Sequence, residues 1–234
     1  MGLLFLPFLW AAGVELGRLL LSISAQGWRS WWIYATGGLV YFLIERVVGR
    51  PMWVYVFGHE VTHAFSGFIS GAKIHSFKAS SNGGEVKLSK SNGFIALSPY
   101  ILPIYSMLII LFYAALKNWW PSPWLTYGFQ FLMGSTVTFH VSLTFSAFHK
   151  RQSDLNVLGF FLSGVLILLG NALILGLLCV SLFKGTPSIS RYLASLGKDS
   201  WVAWKQTAAS LVWCAQHGPT YFSEWSATVK SWIR

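Results

Sequence analysis

The chain has 234 residues, of which 54% are hydrophobic and only 10% charged, and its mean hydropathy is +0.55. This balance excludes a soluble domain of ordinary composition and predicts a polytopic membrane protein. The formal net charge of +10, with no separate basic soluble domain, points to anionic lipid headgroups and away from nucleic acid as the partner of the excess.

A helical span needs about 20 largely apolar residues, and the sequence offers six such stretches, at 3–25, 31–49, 51–70, 94–117, 124–149 and 155–183. The expected fold is an all-α polytopic membrane protein of about six transmembrane helices, with a short β-hairpin after the third and an amphipathic C-terminal tail. The first stretch is the weakest, because Glu15 and Arg18 interrupt it. They lie three residues apart on one helix face, so they are expected to pair with each other or to hold part of the segment in the interface. No basic segment precedes this stretch, so it reads as retained and not as a cleaved signal. Trp28, Trp31, Trp32, Trp119, Trp120 and Trp124 fall near segment ends, as interfacial tryptophans do. The two cysteines, Cys179 and Cys214, have no metal-site spacing and suggest no disulfide.

The third stretch carries Gly-His-Glu-Val-Thr-His at 58–63. Four residues separate His59 from His63, so on a helix both imidazoles share one face and can bind one zinc ion, while the adjacent Glu60 can activate a water. The flanking residues 51–57 and 64–70 contain no other ionisable side chain. Ionisable groups at membrane depth are costly unless partnered, and a cation is the natural partner for three in one turn. The pattern is that of a zinc hydrolase.

Residues 71–93 are polar and glycine-rich. Alternation at Ile74, Ser76 and Lys78 and again at Val86 and Leu88, around Asn82-Gly83-Gly84, predicts a hairpin with its turn at the glycines. Such a strand edge can take an extended peptide through main-chain hydrogen bonds, with Ile74 and Val86 as candidate substrate-binding residues. The alternative is a plain surface connection. Early in the next stretch, Pro99 and Pro103 predict a kink or a broken turn.

A catalytic zinc usually has three protein ligands, so the motif is one ligand short. The acidic residues outside the motif are Glu15, Glu45, Glu85, Asp154, Asp199 and Glu224. Asp154 is the best placed, at the opening of the last long apolar run; its alternative role is N-cap of that helix. His140, mid-span in Thr-Phe-His-Val-Ser, is the second candidate, either as ligand or as an auxiliary group holding the water or an oxyanion. From Gly185 the composition changes, which divides the chain into a membrane domain, 1–184, and a tail, 185–234. Trp201, Trp204, Ala208 and Leu211 follow helical spacing and predict amphipathic helices on the membrane surface, with a small soluble cap as the alternative.

These residues resemble the site-2 protease family of intramembrane zinc metalloproteases, and its small bacterial membrane-peptidase branch above all. The likeness runs through Phe57-Gly-His-Glu-Val-Thr-His-Ala64, the small residues up to Gly71, the hairpin with Gly83-Gly84, and Gln152-Ser-Asp-Leu155, and covers about residues 51–180. Larger members carry Asn-Pro and Leu-Asp-Gly around the acidic ligand, where this chain has Ser153-Asp154-Leu155. The resemblance implies zinc held by His59, His63 and Asp154, Glu60 as general base, and a zinc metalloendopeptidase that cuts membrane-embedded protein substrates in a bacterial inner membrane. The non-enzymatic alternative is a membrane scaffold or regulator that retains the motif for structure.

Overall fold

Each apolar stretch folds as helix in the computed structural model, which describes residues 2–24, 31–150, 152–184 and 187–232. A 3-10 turn, Gly2–Phe5, leads into α1 (Leu6–Ser24), followed by α2 (Trp32–Val47) and α3 (Met52–Ile69). Then come β1 (Ile74–Ser80), β2 (Gly83–Leu88), α4 (Gly93–Ile101), α5 (Ile104–Leu116) and α6 (Pro123–Lys150). A 3-10 turn at Ser153–Asn156 precedes α7 (Phe160–Cys179), which ends in a wider turn at Val180–Lys184, and α8 (Pro187–Trp232) closes the chain. Trp28 and the boundary residues 185–186 lie outside the described residues.

Among the described residues, three helices, Gly2–Ile23, Pro123–His149 and Phe160–Phe183, are long and apolar enough to cross a membrane. They become four if α4 and α5, bent by 67° at Leu102-Pro103, count as one span. The sequence count of six is larger for two physical reasons. α2 has 16 residues, about 24 Å of helix, and ends in charged residues. α3 has 18 residues, but His59, Glu60 and His63 lower its hydropathy.

Helices α2 and α6 meet backbone to backbone: a Cβ added at Gly37 or at Gly134 would run into the main chain of Phe131 or Tyr34. Ser135 Oγ donates to the Gly37 carbonyl across this seam at 2.9 Å. Two groups of charged side chains on or beside the helices are paired. Arg50 pairs with Glu45, which also accepts from Ser142 Oγ at 2.7 Å. The expected pair of Glu15 and Arg18 forms, and Asp199 of α8 joins it.

The tail is one continuous helix, α8, and its N-terminal half packs on α1. Ser195 Oγ donates to Glu15 Oε2 at 2.9 Å, Trp204 stacks on Phe8, and Tyr192 and Ala203 are buried. Trp201 and Leu211 are exposed.

A core of Leu97, Tyr100, Ala147, Leu155 and Ile167 joins α4, α6, the turn at 153–156 and α7. Leu155 is completely buried. Its burial fixes the turn that carries Asp154. The hairpin forms as expected, with Phe77 opposite Val86 and Ile74 opposite Leu88. Ser80 pairs with Gly83, so the turn is Ser81-Asn82 and the two glycines open β2.

Candidate metal centre

Helix α3 places His59 and His63 one turn apart, with their Nε2 atoms 3.1 Å from each other. The turn before α7 brings Asp154 Oδ2 to 3.3 Å from His59 Nε2 and 3.6 Å from His63 Nε2. These three side chains can hold a metal ion, and they are the one such group found among the described residues. Donors about 2.0–2.1 Å from a tetrahedral centre stand roughly 3.3–3.4 Å apart. The observed triangle has edges of that size.

The chemistry of the donors agrees with the geometry. His63 Nδ1 lies 2.9 Å from the Ile95 carbonyl oxygen, which can only accept, so the ring proton sits on Nδ1 and Nε2 offers a lone pair. The Tyr100 hydroxyl donates to Asp154 Oδ2, a hydrogen bond that favours the ionised carboxylate. An ionised carboxylate and a bare imidazole nitrogen thus present electron pairs to one point, where a cation satisfies both.

A second layer holds these donors. Tyr100, 2% exposed, donates to Asp154 Oδ2 at 2.8 Å. Gln152 Nε2 donates to the Tyr55 hydroxyl at 2.9 Å, and the rings of Tyr55 and Tyr100 stand edge-on against His59.

Glu60 is buried and stands outside the three-donor group. Its side chain faces β2: a Cβ at Gly84 would fall 2.5 Å from Glu60 Cγ and 2.9 Å from its Oε1. Glycine at 84 is what allows the strand to lie over the acid. A cleft of about 450 Å3 opens beside the group, lined by Glu60, both histidines, Asp154, Gly84 and Val86 among others.

Of the sequence candidates, His59, Glu60, His63, Asp154 and Val86 come together here. Ile74 does not: it pairs with Leu88 at the open end of the hairpin and is exposed. His140 stands apart from the donors as a packed, hydrogen-bonded residue, with Nε2 3.1 Å from Asn171 Oδ1. It meets His59 only across a cavity of about 20 Å3, room for about one water. The capping role for Asp154 does not hold either. Gly159, at φ 82°, stands at the N-cap of α7, and Asp154 sits in a separate turn before it.

Tyr100, Gly84 and the Ile95 carbonyl were not anticipated from the sequence. The signal for two of them was Pro99, in the broken segment that contains both Tyr100 and Ile95. No protein-family model, curated protein or solved structure matches the chain.

Proposed function

We propose that the protein is an intramembrane zinc metalloprotease, with zinc held by His59, His63 and Asp154 and with Glu60 as general base. The observation that carries this reading is the convergence of His59, His63 and Asp154 on one point, with Glu60 adjacent in sequence yet outside the donor group. Zinc bound there supplies Lewis-acid polarisation of a scissile carbonyl and acidification of a water. Glu60 takes the proton as that water adds to the carbonyl carbon. The C–N bond then breaks as the same proton passes from Glu60 to the leaving amine nitrogen.

Several features support a peptide as substrate. β2 has a strand partner on one side only among the described residues, and Gly84 and Val86 line the cleft. An extended segment can add there by main-chain hydrogen bonds, which sets the scissile bond beside Glu60. A transmembrane helix satisfies its own backbone, so substrates carry helix-breaking residues near the cut. The reading extends to a chain crossing a bacterial inner membrane about six times, α2 and α3 included, with its basic excess against anionic lipid headgroups and the outer part of α8 along the surface.

The test is cleavage of a membrane-embedded peptide with a helix-breaking residue by the purified protein in lipid bilayers. Wild type cleaves it, and Glu60→Gln retains zinc without cleaving. A Glu60→Gln protein as active as wild type overturns the mechanism. Zinc binding without cleavage by wild type, across a panel of such peptides, favours a scaffold that keeps the motif for structure.

A further inference from the structure

We infer that Pro99 is a positioning residue of the metal centre, acting through the Ile95 carbonyl on His63. Pro99 lies inside α4. In a regular helix the carbonyl of residue 95 accepts from the N–H of residue 99. Proline has no N–H, and its ring presses against the carbonyl four residues back. The Ile95 oxygen is therefore released from the helical ladder in a position where Ile95 itself is 2% exposed. A buried carbonyl needs a donor, and this one takes two side chains: Ser98 Oγ at 2.9 Å and His63 Nδ1 at 2.9 Å.

The consequence reaches the donor set directly. Because the carbonyl only accepts, it fixes the proton of His63 on Nδ1 and turns the bare Nε2 toward His59 and Asp154. The same short stretch docks α4 on both sides of the site: Ser98 Oγ donates to Ser66 Oγ of α3 at 2.8 Å, and Tyr100 donates to Asp154. A proline in a helix is usually read as a bend. Here the bend is shared with Pro103, which stands at the N-cap of α5 beyond the end of α4 and so leaves the Ile95 acceptor untouched. The two prolines thus separate the effect of the bend from the effect of the freed acceptor.

This inference rests on the reading of His63 as a metal ligand, but its first readout, the proton position on the metal-free ring, is independent of that reading and of proteolysis. The experiment takes the full chain in bilayers with isotope-labelled histidine and records ring-nitrogen spectra without metal, then zinc affinity by competition with a chelator. Four proteins are compared: wild type, Pro99→Ala, Pro103→Ala, and a chain with a backbone ester at position 99, which like proline offers no N–H. In wild type and the ester protein, His63 carries its proton on Nδ1, and the ester protein keeps zinc affinity within a few-fold of wild type. In Pro99→Ala the restored N–H competes for the Ile95 oxygen, the Nε2-protonated form appears, and zinc affinity falls about 10–100-fold. Pro103→Ala keeps the wild-type tautomer.

The inference is overturned by a His63 Nδ1 that carries no proton in wild type, by an unchanged tautomer in Pro99→Ala, or by equal zinc losses in the two alanine variants. If Pro99→Ala does not fold, the ester protein decides: wild-type tautomer and affinity support the freed carbonyl, and loss of either, or failure to fold, assigns the role to the ring.

Discussion

Tyr100 donates its hydroxyl to the oxygen of Asp154 that also faces His59 and His63, at 2.8 Å. Because Tyr100 is itself locked in the core beside Leu155, one packed cluster orients both the acid and the turn that carries it. Asp154→Asn replaces a carboxylate by a weaker donor and is expected to lower zinc affinity by about 10-fold or more and to remove cleavage. Asparagine is as good a helix cap as aspartate, so a variant with normal zinc affinity would return Asp154 to a structural role. Chelator competition measures it.

Tyr100→Phe keeps the ring and its packing against His59 and removes one donor to Asp154. Outer-layer hydrogen bonds of this kind are worth about 10–100-fold in metal affinity or activity. Zinc affinity is expected to fall into that range while helix content stays at the wild-type level by circular dichroism. Unchanged affinity would mean that the histidines alone orient the acid.

Gly84→Ala tests the contact between β2 and the base. Its Cβ would meet Glu60 Cγ and Val56 Cγ1, so the strand must lift or Glu60 must turn. The expected result is a fall in cleavage rate of about 10-fold or more, since a positioned base contributes at least that much, with one zinc per chain retained. Wild-type turnover in this variant would place the hairpin's contact with Glu60 outside the mechanism.

His140→Ala is expected to leave zinc content unchanged, because its Nε2 is engaged with Asn171 and not with the donors. Loss of the metal in this variant would make His140 a ligand. Elemental analysis of the purified protein decides.

The parts of the site readable in the sequence are those set by local geometry. A four-residue spacing on a helix puts His59 beside His63 whatever the rest of the chain does, and the hairpin followed from its alternation and glycines. Asp154 stands out among the few acidic residues, but its setting is not legible in the sequence. Leu155 to Phe183 reads as one apolar run, and only the backbone at Gly159, with φ 82°, separates the turn from the helix. Tyr100, Ile95 and Gly84 contribute through contacts with residues distant in sequence, which periodicity does not encode. The link from Arg18 to Asp199 is of the same kind, spanning 181 positions. Three helices, or four with the bent pair, are long and apolar enough to cross a membrane among the described residues; α2 reads as a span by composition, yet its helix is short and Glu45 is tied to Arg50 and Ser142.

In the proposed site His59, His63 and Asp154 hold the metal ion and Glu60 does not. Zinc content per chain, measured by elemental analysis on purified wild type, His59→Ala, His63→Ala and Glu60→Gln, tests it most directly. Close to one zinc is expected in wild type and Glu60→Gln, and almost none in either histidine variant. Equal zinc in all four proteins, or its loss in Glu60→Gln alone, would contradict it.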